Sequence, residues 1–196
     1  MIPLWLKLAY TVMAVVVLVA YWFRYGPRNY LWFSDVALIL LVPALWLESA
    51  LLAGMVATGM LALELFWCVD FAGRLAFRRR PGGLTGYMFE PQRPLWLRAL
   101  SLFHIPVPAV TLYLLFVLGY DPGALAPMLV LGWGVLLASW WLTLPHDNVN
   151  WVHGFGGAPR RAHAPLRNLL WLMLLFPLLV WVPSHLALVW LFPAGG

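Results

Sequence analysis

The sequence predicts an all-α integral membrane bundle of six transmembrane helices, and three observations support this fold class. Of the 196 residues, 64% are hydrophobic and only 10% are charged, whereas about a quarter of the residues of a soluble domain are charged. The apolar residues form six long runs, and every arginine falls in the loops of one side. Disordered, collagen-like and disulfide-rich secreted classes are excluded, and the single cysteine can form no internal disulfide.

Each span must contain about 20 apolar residues, because the hydrocarbon core is about 30 Å thick and a helix rises about 1.5 Å per residue. The first run is too long for a signal peptide and lacks a small-residue cleavage site, so we interpret it as a retained anchor. The second run is short and ends at Glu48, which predicts a tight hairpin with the third. No repeat is visible, and residues 1–196 form one domain. The predicted spans are Ile2–Phe23, Leu31–Leu47, Ser49–Phe71, Leu97–Leu118, Ala124–Leu144 and Leu166–Phe192.

The distribution of charge predicts the orientation of the bundle. The loops of one side carry all the arginines, whereas the opposite side has only Lys7, Glu48 and Asp121. Positively charged loops stay in the cytoplasm, so both termini are predicted outside. The arginines are Arg24, Arg28, Arg74, Arg78, Arg79, Arg80, Arg93, Arg98, Arg160, Arg161 and Arg167. We interpret them as an orientation signal that also attracts anionic membrane lipids, and we expect no nucleic-acid partner, since no soluble domain is present to organise groove contacts.

Ionisable and amide side chains collect at one depth of the predicted bundle. Asp35 lies early in the second span, Glu64 and Asp70 lie in the third, and His104 lies early in the fourth. Charged groups inside a bilayer are costly and tend to mark functional sites. Because the spans alternate in direction, these residues and the polar segment after the fifth span are predicted to surround one cytoplasm-facing cavity.

Helix periodicity separates the two acidic residues of the third span. Glu64 shares a face with Cys68, whereas Asp70 points about 120° away. Glu64 is therefore the better candidate for the interior of the bundle. For Asp70 the sequence favours an ion pair with Arg74, four residues later.

Two prolines follow His104 closely. Pro106 and Pro108 lack backbone N–H groups, which frees the carbonyls of Leu102 and His104, and broken helices in membranes occur where they line a cavity or are buried in protein. A lone histidine is often an interior hydrogen-bonded residue, and the carboxylates at the same depth make a functional role equally plausible. Both interpretations of His104 stay open.

The segment after the fifth span is rich in polar residues and glycines. It contains His146, Asp147, Asn148, Asn150 and His153. It is either an Asx-type turn that caps a helix or a loop that folds over the cavity with Asn150 and His153 directed inward; we favour the loop, because loops often carry function.

A second segment, residues 82–90, is either an interfacial lid or a connection without function. The sequence has no Cys-x-x-Cys pair, no His-Glu-x-x-His motif, no Walker loop and no Gly-x-Ser-x-Gly elbow. Ser184 and His185 are interpreted as packing residues, since adjacent residues on a helix face different ways.

Five short stretches of the chain form a recognisable pattern: residues 31–35 (LWFSD), 64–71 (ELFWCVDF), 83–89 (GLTGYMF), 102–104 (LFH) and 148–151 (NVNW). In these stretches the chain resembles a family of small bacterial multi-span proteins known as membrane-associated proteins. The similarity covers most of residues 30–160 and implies a bacterial cytoplasmic (inner) membrane protein, but it carries no established reaction.

The chain also combines a polar motif early in the second span, a histidine in a later span and an asparagine–aromatic motif after the fifth. In these features it is more faintly similar to the androgen-induced-gene membrane hydrolases and the bacterial YwaF-like proteins. The resemblance implies a pair formed by Ser34 or Asp35 with His104. The hydrolases use a threonine nucleophile, whereas this chain has no threonine in the motif.

Two hypotheses about the function follow, one enzymatic and one structural. In the first, the protein is an enzyme acting on a lipid or isoprenoid, with His104 as general base and Asp35 or Glu64 orienting it. Ser34 or a water would be the nucleophile, and Asn150 and Asn148 would stabilise oxyanion charge. The substrate-binding candidates are His146, Asp147, Asn148 and His153.

In the alternative, the chain is a non-catalytic subunit or scaffold that binds other membrane protein subunits, and its polar residues form interhelical hydrogen bonds. A metal or haem site on His104, His146 and His153 ranks below both hypotheses, because no pair has metal-ligand spacing on one helix. A transporter of this size would need to dimerise. The sequence identifies no cofactor.

Overall fold

The computed structural model describes residues 1–77, 83–154 and 166–192, and within these ranges the chain is all-α, without a strand. Five helices are long and apolar enough to cross a membrane. A sixth helix, α2, has 14 residues and is about 21 Å long. In chain order the helices are α1 (Leu4–Tyr25), α2 (Phe33–Trp46), α3 (Ala50–Phe77), α4 (Leu95–Leu118), α5 (Pro122–Leu142) and α6 (Leu166–Leu191).

The predicted runs correspond to these six helices, with shifted ends. The third helix continues to Phe77 rather than Phe71, and the fourth begins at Leu95 rather than Leu97. Five of the arginines used to predict the orientation lie outside the described residues: Arg78, Arg79, Arg80, Arg160 and Arg161.

The predicted hairpin between the second and third helices is confirmed. Only residues 47–49 separate α2 from α3, and Glu48 adopts a left-handed conformation with φ 49°. The Oγ of Ser49 accepts a hydrogen bond from the backbone N–H of Leu52 at 3.2 Å and so caps the start of α3. Lys7 Nζ lies 2.8 Å from Glu48 Oε1, which fixes α1 to this hairpin.

The start of α2 lies inside the bundle. A short 3₁₀ turn, Pro27–Leu31, follows α1, and the Tyr30 hydroxyl donates to the carbonyl of Leu18 at 2.5 Å. Leu18 lies about 10 Å before the end of α1, so the connection returns along the helix that it has just left. Irregular backbone at membrane depth is tolerated only where protein or water covers its polar groups.

The third helix is the centre of the bundle. In its most apolar window 61% of the residues are buried, compared with 22% in α1 and in α6. Glycines allow the helices to approach closely: a Cβ on Gly59 would lie 2.5 Å from the Met128 side chain, and one on Gly132 would lie 2.2 Å from the Trp181 ring. These approaches hold α3 against α5 and α5 against α6.

Candidate functional site

A carboxylate and an imidazole meet at the centre of the bundle. Glu64 Oε2 on α3 lies 2.6 Å from His104 Nδ1 on α4, and the two side chains are 3% and 12% exposed. The interior-facing position predicted for Glu64 is consistent with this contact. Of the two carboxylates that the sequence offered as orienting groups for His104, Glu64 is the one in hydrogen-bond contact.

Aromatic rings fix the plane of the His104 imidazole. Phe103 stacks on it with ring centroids 4.3 Å apart, and Trp67 stacks on it at 4.4 Å. Trp67 stacks in turn on Phe71 at 5.2 Å. Sequence reasoning missed both flanking rings, although Trp67 lies one helical turn after Glu64 and Phe103 directly precedes the histidine.

The backbone of α4 is irregular at His104. A 3₁₀ turn, Ser101–His104, interrupts the helix, which resumes as an α-helix at Pro106. Because Pro108 has no N–H, the carbonyl of His104 has no helical donor, and the thiol of Cys68 lies 3.2 Å from that oxygen. The freed carbonyl predicted from the proline pattern therefore has a partner on α3, on the same helix face as Glu64.

The second nitrogen of His104 has a different environment. Nε2 makes no hydrogen bond to any described residue, and the imidazole retains a small exposed area. An imidazole whose Nδ1 is held by a carboxylate and whose Nε2 is open has the geometry of a general base or acid.

Asp35 is a second buried carboxylate near this pair. It lies in the first turn of α2, is 2% exposed and interacts electrostatically with Glu64. Its Oδ2 accepts a hydrogen bond from Asn29 Nδ2 at 3.3 Å, whereas its Oδ1 has no hydrogen-bond partner among the described residues. A buried polar oxygen without a partner is energetically costly, so Oδ1 is available to a proton or to a donor group of a ligand.

The predicted ion pair between Asp70 and Arg74 is wrong. Asp70 Oδ2 instead accepts two hydrogen bonds from Thr85, from the backbone N–H at 2.9 Å and from the hydroxyl at 2.7 Å. The guanidinium of Arg74 lies over the ring of Phe89, 5.3 Å from its centroid. Because Thr85 offers two donors in a buried position, it competes successfully with the flexible side chain of Arg74.

This contact holds the segment of residues 83–90 against α3. Its Met88 side chain is buried, and the carbonyl of Met88 accepts a hydrogen bond from Arg98 Nη1 of α4 at 2.9 Å. Burial raises the pKa of the Tyr87 phenol, while the neighbouring Ser101 and Trp67 oppose that increase. The segment therefore packs against α3, which carries Glu64, and against α4, which carries His104. Its Tyr87 lies beside Trp67.

The side chain of Asn150 is occupied by backbone and hydroxyl partners. Its Nδ2 donates to the carbonyl of Leu31 at 2.7 Å and to Ser139 Oγ at 3.1 Å. Its Oδ1 accepts from the backbone N–H of Phe33 at 3.1 Å. The amide group of Asn150 therefore donates to Leu31, just before α2, and to Ser139 of α5, which leaves the predicted oxyanion role without a free donor.

The other candidates of this segment make hydrogen bonds or close contacts within the segment or with Thr143. Asn148, in a left-handed conformation, donates from Nδ2 to the carbonyl of Gly154 at 2.9 Å and accepts from the His153 N–H at 2.8 Å. His153 Nε2 lies 3.3 Å from the Thr143 hydroxyl. His146 and Asp147 are exposed, with side chains 75% and 38% accessible, and contact each other at 3.3 Å.

Ser34, the candidate nucleophile, is half-buried in the first turn of α2, next to Asp35 in the chain. It makes no hydrogen bond to His104. Among the described residues, no group of three histidine, cysteine, aspartate or glutamate side chains is arranged to hold a metal ion.

An apolar groove adjoins the site. It lies between α1 and α4, has a volume of about 380 Å³ and includes Phe103, the ring that stacks on His104, in its wall. The predicted cytoplasm-facing polar cavity stays a prediction, because the concavity described here is apolar and lies on the lateral surface.

A second polar network was missed by the sequence analysis. The Tyr120 hydroxyl lies 2.7 Å from Thr58 Oγ1 and 2.7 Å from His185 Nδ1. It joins α3, the α4–α5 turn and α6, at the wide π-helical turn Ala57–Leu61 of α3. The sequence pattern indicates only a packing role for His185, and its partner Tyr120 cannot be found from spacing because the two residues are 65 positions apart.

Comparisons of the chain with family models, with curated proteins and with solved structures find no match.

Proposed function

We propose that this multi-pass membrane protein is an enzyme that acts on a lipid or isoprenoid and uses Glu64 and His104 as its acid–base pair. The observation that carries the proposal is the 2.6 Å contact between Glu64 Oε2 and His104 Nδ1, together with a His104 Nε2 that has no hydrogen-bond partner among the described residues. Ionisable pairs are costly inside a bundle of apolar helices, and those that occur there commonly mark functional sites.

Each polar group then has a separate role. Glu64 positions the imidazole and stabilises its protonated form, and His104 Nε2 takes a proton from a water or from a hydroxyl of the substrate. Asp35 Oδ1 offers a hydrogen-bond acceptor to the polar end of the substrate. Ser34 or a water is the nucleophile. Asn150 serves the site indirectly, by fixing the start of the helix that carries Asp35.

The orientation is part of the same proposal. Six spans with both termini outside direct the start of α4 to the cytoplasm, in the inner membrane of a bacterium. The test introduces Asp121→Cys or Gln92→Cys into a Cys68→Ala background and adds a membrane-impermeant thiol reagent to intact cells. We expect labelling at 121 and none at 92; the reverse pattern would mean that the orientation is inverted.

The catalytic test uses protein reconstituted in vesicles made from lipids of the organism that encodes it. Mass spectrometry follows the consumption of any lipid over time, for the wild type, His104→Ala, Glu64→Gln and the control Phe116→Ala, which removes an exposed ring from the helix that carries His104. We expect turnover by the wild type and by the control, and a loss of about 10²-fold or more for His104→Ala.

The Glu64→Gln variant tests whether Glu64 acts on the protonation of His104 or only holds the two helices together. If Glu64 stabilises the imidazolium, turnover by this variant should decrease and its pH profile should shift, because the neutral amide no longer favours the protonated ring. A lipid composition that never changes, together with site variants that all remain in one stable heteromeric assembly, would contradict the enzyme and favour a structural subunit.

A further inference from the structure

The groove between α1 and α4 has the position and lining of a lipid-binding site. Its wall is formed on α1 by Met13, Val16 and Val17 and on α4 by residues that include Ala99, Leu102 and Phe103. Both helices belong to the five that are long and apolar enough to cross a membrane. The groove therefore opens sideways toward hydrocarbon, and its volume of about 380 Å³ is within the range of small-ligand sites, about 300–1,000 Å³.

The lining favours an alkyl chain. None of the residues that line the groove carries a charge. The stretch of α4 from Ala99 to Pro106 extends about 10 Å along the helix, which accommodates a segment of an extended acyl chain lying parallel to the helices. A hydrogen bond of 2.9 Å between the Tyr21 hydroxyl and Ser101 Oγ joins the two helices near one end of the groove.

Two arginines mark that same end. Arg24 lies seven residues after Val17, almost two full helical turns, and therefore shares its face. Arg98 lies one turn before Leu102, and its side chain is half-buried. Its Nη1 donates a hydrogen bond to the carbonyl of Met88. The single acidic side chain of the segment beside it, Glu90, is paired with Arg93 at 2.7 Å. An apolar groove that ends between two cations is complementary to a lipid with an anionic headgroup.

We propose that the groove is a lateral binding site for an anionic phospholipid, which seats one acyl chain against Val16 and Phe103 and its phosphate near Arg24 and Arg98. The proposal rests on the proposed function, since it makes this lipid the substrate class presented to His104 past Phe103. Binding itself requires no chemistry, and it is therefore measured separately from turnover.

The experiment compares two neighbouring valines of α1 that are equally exposed. Val16 lines the groove and is 51% exposed, whereas Val15 is 52% exposed and is not part of it. The variants Val16→Trp and Val15→Trp are incorporated into vesicles containing phosphatidylglycerol or phosphatidylcholine, extracted, and examined by native mass spectrometry for retained lipid. We expect one retained phosphatidylglycerol on the wild type and on Val15→Trp, and about tenfold less on Val16→Trp because the indole fills the groove.

The headgroup is tested by Arg24→Gln, which changes an exposed residue. We expect about fivefold weaker retention of phosphatidylglycerol, with little change for phosphatidylcholine. Should Val16→Trp fail to fold, Ala99→Leu replaces it, since a smaller addition on α4 narrows the same groove.

Equal retention by Val15→Trp and Val16→Trp, equal retention of the two lipids by the wild type, or a tightly held protein segment in place of lipid would overturn the groove proposal. The His104→Ala variant separates the two proposals: it should keep its phosphatidylglycerol and lose turnover. Retention without turnover of any lipid by the wild type would support the groove and contradict the enzyme.

Discussion

The backbone N–H of Phe33 donates a 3.1 Å hydrogen bond to the side-chain Oδ1 of Asn150, across 117 positions of sequence. Phe33 is the first residue of α2, whose preceding residue, Trp32, provides no side-chain cap. The first N–H groups of a helix have no partner within the helix, and here one of them lies inside the bundle. Asn150 satisfies it from a distant loop, so the helix that carries Asp35 is fixed to the C-terminal end of α5.

Asn150→Ala should therefore destabilise the protein. Removing the amide leaves the Phe33 N–H and the Leu31 carbonyl buried without that partner, at a cost of about 1–3 kcal/mol. Thermal unfolding in detergent, followed by tryptophan fluorescence, measures the effect, with exposed His146→Ala as control. An unchanged midpoint accompanied by complete loss of turnover would assign Asn150 to the chemistry instead.

Glu64 and His104 should be energetically coupled. In a double-mutant cycle of Glu64→Gln and His104→Gln, we expect a coupling free energy of about 1–3 kcal/mol, because the contact is short and buried. Membrane interhelical hydrogen bonds average about 0.6 kcal/mol. A coupling no larger than that average would show that the pair is an ordinary interhelical contact.

Gly132 should not tolerate a methyl group. A Cβ at this position would lie 2.2 Å from the Trp181 ring, which is fully buried, whereas a Cβ on Gly134 of the same helix meets nothing within 4 Å. We expect Gly132→Ala to cost about 1–3 kcal/mol of stability through overpacking and Gly134→Ala to be neutral or stabilising. Equal unfolding temperatures for the two variants would contradict the close approach of α5 and α6.

Thr85→Val should loosen the segment of residues 83–90. The substitution removes the hydroxyl that donates to Asp70 at 2.7 Å and retains the backbone donor at 2.9 Å, at a cost of about 1–3 kcal/mol for the buried carboxylate oxygen. Hydrogen exchange should increase in this segment while α5 and α6 stay protected. Thr111→Val, which removes a hydrogen bond to the Val107 carbonyl within α4, is the control; the same exchange in both variants would refute the anchoring role.

Glu48 should make stability depend on acidic pH. Lys7 and the backbone N–H of Ile2 lower the pKa of its carboxyl below the ordinary glutamate value. The stabilisation is therefore fully present above that ordinary value and is lost as the pH falls through the lowered one. The unfolding temperature of the wild type should decrease over this window, and Glu48→Gln should flatten that decrease. An identical pH dependence in the variant would exclude Glu48 as its source.

The sequence was sufficient to predict the helices and some of the contacts that their residues make. Long apolar runs leave few alternatives to helices in a membrane, since every backbone polar group must be satisfied within the segment. The face of Glu64 followed from helical periodicity, and the free carbonyl of His104 followed from Pro108. The tight turn at Glu48 followed from the short second run. Each of these three features depends only on residues that lie within one or two helical turns along the chain.

Contacts between distant segments were decided by the tertiary structure. Asp70 lay within reach of Arg74 on its own helix, and yet a loop threonine supplied two better-placed donors. Asn150 carried the polarity expected of a catalytic residue, and its partners are the backbone of Leu31 and Phe33 and the hydroxyl of Ser139. The network of Thr58, Tyr120 and His185 gave no pattern at any fixed spacing.

The amino-acid sequence by itself determined that the chain is an apolar helical protein of the membrane. The composition and length of each apolar run set the free energy of transferring that segment from water into the bilayer. Only the tertiary structure decided which polar groups meet. Each hydrogen bond between helices depends on how those helices rotate and approach, as at Gly59 and Gly132. The pairing of Glu64 with His104 Nδ1, and an Nε2 that no other described residue binds, could therefore be found only in the packed bundle.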